Sequence, residues 1–181
     1  MHFACINDRT EIVELLIKSS SIDLNATNIM GCTAFHLACK YGRAETVELM
    51  IKLSKDFSID LNARVVHSRE TVFHLACGYG TSETIDLLIK SSKDFSIDLN
   101  IRDYTYLGGI ALRRLCDSSS SNQSDKLKTV EELMIKKWNE FGMDFMDYEG
   151  ETPLAQAKRW LLWRKMLENE CSKMDDTEHA A

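Results

Sequence analysis

Between Asn28 and Asn62 the apolar positions gather into two short clusters of helical spacing, separated by a glycine. The first cluster, Ala34, Phe35, Leu37 and Ala38, follows Thr33, a residue type whose hydroxyl caps helix N-termini, and Gly42 ends it. The second runs from about Ala44 to Leu53. It sets Val47, Met50 and Ile51 at i, i+3 and i+4, one buried stripe, with Glu45, Glu48 and Lys52 turned to water. Two helices this short cannot bury both apolar faces on each other. The pattern therefore predicts a unit that stacks on copies of itself.

Copies lie on both sides. Thr71-Val72-Phe73-His74-Leu75-Ala76-Cys77 repeats Thr33-Ala34-Phe35-His36-Leu37-Ala38-Cys39, Gly80 repeats Gly42, and His2-Phe3-Ala4-Cys5 is the tail of the same phrase. His2, His36 and His74 are spaced by 34 and 38 residues. The longer spacing has a visible source. Ser54 to Asn62 and Ser92 to Asn100 are the same letters, Ser-Lys-Asp-Phe-Ser-Ile-Asp-Leu-Asn, where the first copy has only Ser19 to Asn25. Second helices are predicted near Thr10 to Ser19, with Ile12, Val13, Leu16 and Ile17, and around Thr84, Ile85, Leu87, Leu88 and Ile89. Phe35, Leu37, Met50, Phe73, Leu75 and Leu88 are expected to form one continuous core between repeats.

The phrase resembles the ankyrin repeat family, whose pattern is Thr-Pro-Leu-His-x-Ala, a Gly, a Val-x-x-Leu-Leu helix, then Asp-Val-Asn. The fullest match is Thr33 to Asn62. Thr152-Pro153-Leu154-Ala155-Gln156-Ala157 keeps the family's Pro but has Ala155 where the His belongs. The resemblance runs over nearly the whole chain. It implies an all-α solenoid of stacked helix-turn-helix units with projecting hairpin turns, about five units, the first and last incomplete. The expected repeats are 1–27, 28–64, 65–102, 103–147 and 148–173, followed by an acidic tail, 174–181, expected to be disordered. The first begins partway through its opening helix, so its outer face lacks a cap and the chain reads as a fragment or a late start. In the fourth, Arg113 and Ile110 replace the His and Thr, and the serine-rich run Asp117 to Asp125 interrupts the tight turn. The fifth has no glycine between Thr152 and Leu167, where other repeats have their turn, and reads as one longer closing helix or a poorly formed pair. The resemblance also implies that each first-helix His bonds backbone of the adjoining loop, and that Thr33 and Thr71 bond the His of their own repeat.

Charge and chemistry narrow the function. The 181 residues carry a net charge of −6, which argues against a general binder of phosphate backbones while leaving room for a local basic patch. No apolar run approaches the roughly 18 residues that cross a bilayer. The start lacks the plan of a signal peptide, so the expected location is cytoplasmic, with the nucleus open. Cys5, Cys39, Cys77 and Cys116 fall at one position of successive repeats, but stacked equivalents lie about 10 Å apart, too far for a disulfide or a shared zinc. They are expected to be small buried thiols, with Cys32 and Cys171 more exposed. His2, His36 and His74 have no recurring nucleophile and converging carboxylate, so no catalytic site is assigned, and no metal or cofactor.

The resemblance implies a protein-protein interaction module, acting as scaffold, adaptor or inhibitor, that holds a protein partner on its concave face and hairpin tips. The competing reading is a regulatory or targeting fragment of a larger protein such as an enzyme or channel. A monomer is expected. Apolar and aromatic residues stand in the predicted turns, where solvated turns carry Asp, Asn or Gly: Ile29, Met30, Val65, Val66, Tyr104 and Tyr106. With Tyr41 and Tyr79 at the ends of the first helices these are the candidate contacts, flanked by Lys40 and Arg43. Asn25, Asn62 and Asn100, each in Ile-Asp-Leu-Asn, are expected to hold their turns. By resemblance they are also candidate sites for an asparaginyl hydroxylase.

Overall fold

The computed structural model describes residues 1–19, 21–99 and 101. Among the described residues six helices form three pairs: α1 (His2–Ile6) with α2 (Thr10–Lys18), α3 (Ala34–Lys40) with α4 (Ala44–Phe57), and α5 (Val72–Tyr79) with α6 (Ser82–Ser91). The first helices α1, α3 and α5 pack side by side in one layer and the second helices α2, α4 and α6 in another. Among the described residues there is no β-strand, only an isolated antiparallel bridge between Thr27 and Thr33 at the base of a hairpin. The fourth and fifth repeats, the serine-rich run, the closing helix, the tail, Asn100, Tyr104, Tyr106, Cys116 and Cys171 lie outside the described residues.

The starts of α3 and α5 follow from one local device. The Thr33 hydroxyl accepts the His36 backbone N–H at 3.3 Å, and the Thr33 N–H donates back to His36 Nδ1 at 3.2 Å. This reciprocal box satisfies two N-terminal donors that a short helix would otherwise leave open, and such caps contribute about 1 kcal/mol. Thr71 and His74 repeat it, with Thr71 N–H to His74 Nδ1 at 3.3 Å. The second helices carry Glu14–Lys18, Glu48–Lys52 and Asp86–Lys90 pairs at i, i+4 in register on their exposed faces. Solvated pairs of this kind add a few tenths of a kcal/mol each.

Helix α4 extends to Phe57, past the Leu53 end that the apolar stripe predicts. Nothing in Lys55-Asp56-Phe57 breaks a helix, and the terminator is not a glycine. Ser58 takes φ 53°, and Ile59 N–H bonds back to Ser54 carbonyl at 3.1 Å. Ser96, at φ 53°, and Ile97 N–H to Ser92 carbonyl at 2.9 Å repeat this in the second copy of the same letters. The left-handed serine turns the chain so that Ile59 and Leu61, and likewise Ile97 and Leu99, dip into the core.

The core divides in two. Phe35, Met50, Phe73 and Leu88 belong to the main cluster between the layers, with Val13, Ile17, Val47, Ile51, Ile85 and Ile89. Leu37 and Leu75 do not join it. They pack with Cys32 and Val65 in a second cluster under the hairpins, against Ile6. The reason is helical geometry: positions 37 and 75 face away from the second helices, toward the returning hairpin arms. The same cluster corrects two expectations. Cys32 is 7% exposed because it is the return arm of its hairpin and lies against Leu37. Val65 is 6% exposed for the same reason, so it is a core residue and not a surface contact. Phe3 occupies the register of Leu37 and Leu75 yet is 82% exposed, since no repeat precedes it among the described residues. Ile12 and Leu15, on the second helix of the same pair, are exposed as well.

Candidate partner-binding surface

The hairpin between the first and second helix pairs is shaped by Asn28. Its side-chain oxygen accepts the Met30 N–H at 2.9 Å and the Cys32 N–H at 3.0 Å, while its own N–H donates to Cys32 carbonyl at 2.9 Å. Gly31 closes the turn at φ 73°. With Asn28 drawing the turn inward through these bonds, Ile29 and Met30 are left outside, and Ile29 is fully solvated at 101%. This use of Asn28 was readable only as a generic turn residue. In the next hairpin Val65 takes the place of Asn28, its N–H donating to the Glu70 carbonyl at 2.9 Å, and Arg69, at φ 58°, takes that of Gly31, donating back to the Val65 carbonyl at 2.9 Å. Val66 comes close to Gly31, 2.9 Å from where a Cβ there would lie, yet stays exposed.

Tyr41 and Tyr79 fall one repeat apart at the far ends of α3 and α5, and both are exposed. Lys40 sets its ammonium 5.0 Å from the centre of the Tyr79 ring, which ties the two repeats together on this surface. Arg43 is anchored differently: its Nε donates to the Ile6 carbonyl at 2.8 Å, closing the C-terminus of α1 in the preceding repeat. Of the candidate contacts within the described residues, Ile29, Met30, Val66, Tyr41 and Tyr79 are thus exposed and Val65 is buried.

On the other side of the stack, asparagines join the repeats. Asn25 donates from Nδ2 to the Ser58 carbonyl at 2.9 Å, and its Oδ1 accepts the Asp60 N–H at 2.8 Å. Asn62 does the same one repeat on, to Ser96 carbonyl and Asp98 N–H, both at 2.8 Å. The aspartates at 23 and 60 orient them by accepting the N–H of Asn25 and Asn62 at 2.9 Å. Each asparagine therefore holds its own turn and also clamps the following repeat.

A family model described as ankyrin repeats (3 copies) matches residues 1–64, about a third of the chain. Over those residues the chain is similar to ankyrin repeats. No curated protein matches it. The third helix pair lies beyond the matched residues but repeats the threonine–histidine box, the stacking and the asparagine clamp. Ankyrin repeats are in general protein-protein interaction modules and typically non-catalytic. No helix among the described residues is long and apolar enough to cross a membrane.

The histidines of the repeated phrase bond within the fold and its cysteines are buried. His2 Nε2 bonds the Cys32 carbonyl at 3.1 Å, the adjoining-loop contact that the resemblance implies. His36 Nε2 faces the backbone of Ala63 and Glu70 without completing a bond of good geometry, while Nδ1 is held by Thr33. Burial holds the His36 pKa below its usual 6.5, against a smaller opposing pull from the Glu70 and Ala63 backbone. Cys5, Cys32, Cys39 and Cys77 are buried thiols outside any disulfide. Burial pushes Cys5 up to about 12 and Cys39 well above the usual thiol range. Thiols so far from the thiolate form are poor nucleophiles. No three of the His, Cys, Asp and Glu side chains converge as a metal site among the described residues.

The sign of the His36 effect fixes a pH dependence. Its pKa is lower folded than unfolded, so below about pH 6.5 the unfolded chain takes up a proton that the folded chain refuses. Stability contributed by neutral His36 is present above that pH and declines at about 1.4 kcal/mol per pH unit until the folded pKa is reached. Denaturant melts across this window, compared with His36→Gln, are expected to show a flatter profile for the variant. Equal slopes would remove His36 as the source.

Proposed function

We propose that this chain is a protein-protein interaction module that takes a protein partner on the surface made by its hairpin tips and first helices. The observation that carries the reading is the group Ile29, Met30, Val66, Tyr41 and Tyr79, exposed apolar and aromatic side chains that the two core clusters do not use. Tyrosines set in such surroundings are favoured interface anchors. By sequence register alone, Tyr104 and Tyr106 extend the group along the next hairpin. In this reading the chain acts by binding, as scaffold, adaptor or inhibitor, without chemistry of its own, as a monomer in the cytoplasm or nucleus. Asn25 and Asn62 serve as clamps, and a hydroxylase reaching them would meet amides already bonded on both atoms.

The test is a comparison of variants against a partner identified by crosslinking in cells and then purified. Tyr41→Ala with Tyr79→Ala is expected to leave helicity unchanged, to lower stability by no more than about 0.5–1 kcal/mol, the scale of an exposed cation–π contact, and to weaken binding by about tenfold or more, the scale of an interface anchor. Unchanged affinity in the double variant would place the interface elsewhere.

A further inference from the structure

The charges of the described repeats are sorted by side. Residues 26–43 and 63–81, the hairpins and first helices, carry Lys40, Arg43, Arg64 and Arg69 against a single acid, Glu70. The second helices and the turns after them carry the excess of acid, and the whole chain is at −6. The lysines at 18, 52 and 90 on that acidic side are held in i, i+4 ion pairs. Lys40 is instead held against the Tyr79 ring and is in no ion pair among the described residues. Arg64 is exposed two residues before the tip residue Val66. A ring-bound ammonium keeps its charge and its donors for an incoming anion.

Building on the interaction module proposed above, we propose that the occupant of this surface is an acidic protein segment that presents apolar or aromatic side chains between its carboxylates. Along the hairpins and first helices the cations are interleaved with the apolar tip residues. Lys40 and Tyr41 follow each other at the end of α3, Tyr79 lies under Lys40, and Val66 comes close to Gly31 behind the Ile29–Met30 tip. The Cys32 thiol reports the same proximity from within: burial raises its pKa, the Lys40 charge pulls it down and Glu70 pushes it up. An apolar side chain of the segment covers Ile29, Met30 or Val66, and carboxylates on either side meet Lys40 and Arg64. A nucleic acid is the poorer fit. Its phosphates call for a continuous row of cations, its backbone gains nothing from Ile29 or Met30, and the chain as a whole repels it. Charge complementarity of this sort sets the rate and selectivity of encounter more than the final affinity, so the signature is a dependence on salt and on charge sign.

The experiment pans a display library of short random peptides on the full chain and measures the enriched peptides by fluorescence anisotropy. Enriched peptides are expected to be net acidic with apolar or aromatic residues between the acids. Binding is expected to weaken at raised ionic strength and to fall by about tenfold in Lys40→Glu with Arg64→Glu, checked for fold by circular dichroism. Arg64→Glu alone, at an exposed site, gives the same direction with a smaller fall if the double variant melts early. Enriched peptides without acidic bias that lose binding in the Tyr41→Ala, Tyr79→Ala variant would overturn the charge assignment and leave the interaction surface standing. Peptides insensitive to either pair of changes, or no enrichment at all, would overturn both. A labelled DNA duplex or phosphatidylserine vesicles bound with the same dependence on Lys40 and Arg64, and more tightly than any peptide, would make the surface a general polyanion site and overturn the acidic-peptide assignment.

Discussion

Phe73→Ala is expected to lower the free energy of unfolding by about 3–5 kcal/mol, the range for emptying a fully buried aromatic site. Phe73 is 0% exposed and sits in the main cluster on α5, between the α3–α4 pair and α6. A stacked array has no distant core to take up the loss, because each repeat is held only by its neighbours. A change of this size is a large part of the 5–15 kcal/mol that a domain possesses. The effect should therefore be local in its first expression, with residues 72–99 exchanging their amide hydrogens before the two preceding helix pairs do. Urea melts at unchanged m-value and exchange mass spectrometry check the two halves of the expectation. A loss below about 1 kcal/mol would mean that the neighbours collapse into the space.

Gly80→Ala is expected to cost about 1–3 kcal/mol through overpacking alone. A Cβ on Gly80 would lie 2.6 Å from the Cys39 carbonyl oxygen and 2.9 Å from that of Ala76. Both obstacles are backbone, so α3 and α5 would have to move apart. Gly80 has φ −72°, which any residue adopts, and no conformational strain enters. Gly42 is the contrasting case. It has φ 64°, and its Cβ would meet the Thr81 methyl at 2.5 Å, an atom that Thr81→Ser removes. Thermal melts of each alanine variant with and without Thr81→Ser should thus show partial rescue for Gly42→Ala and none for Gly80→Ala. Rescue of both would show that the Cys39 carbonyl does not set the spacing of the first helices.

The helix pairs were legible in the sequence because their determinants are local: a threonine and a histidine three residues apart, a glycine after the helix, a stripe of Val47, Met50 and Ile51. What sequence reading missed depends on through-space register. Relative to Asn25–Thr33, the stretch from Asn62 to Thr71 contains one more residue, and in an extended arm one residue exchanges inside for outside. Val66 rather than Val65 therefore stands at the tip, and Val65 joins Cys32 and Leu75. The end of α4 was missed because a serine in the left-handed region does the work expected of a glycine. Of the candidate surface, the exposed tyrosines and the Ile29–Met30 tip were readable as apolar letters with no core to fill. That Lys40 lies on Tyr79 was not, since a cation and a ring 39 positions apart meet only once two repeats are stacked.

The asparagine clamps give the stack its own clocks. The amide protons of Asp60 and Asp98 sit in solvent-facing turns, where exchange is ordinarily fast, yet each is held by a carboxamide from the preceding repeat. Neither bond survives separation of the two repeats it joins. The exchange rate at Asp60 accordingly reads how often the first and second helix pairs part, and the rate at Asp98 reads the second and third. Two backbone protons, without a label or a mutation, thus measure separately the opening of two neighbouring seams.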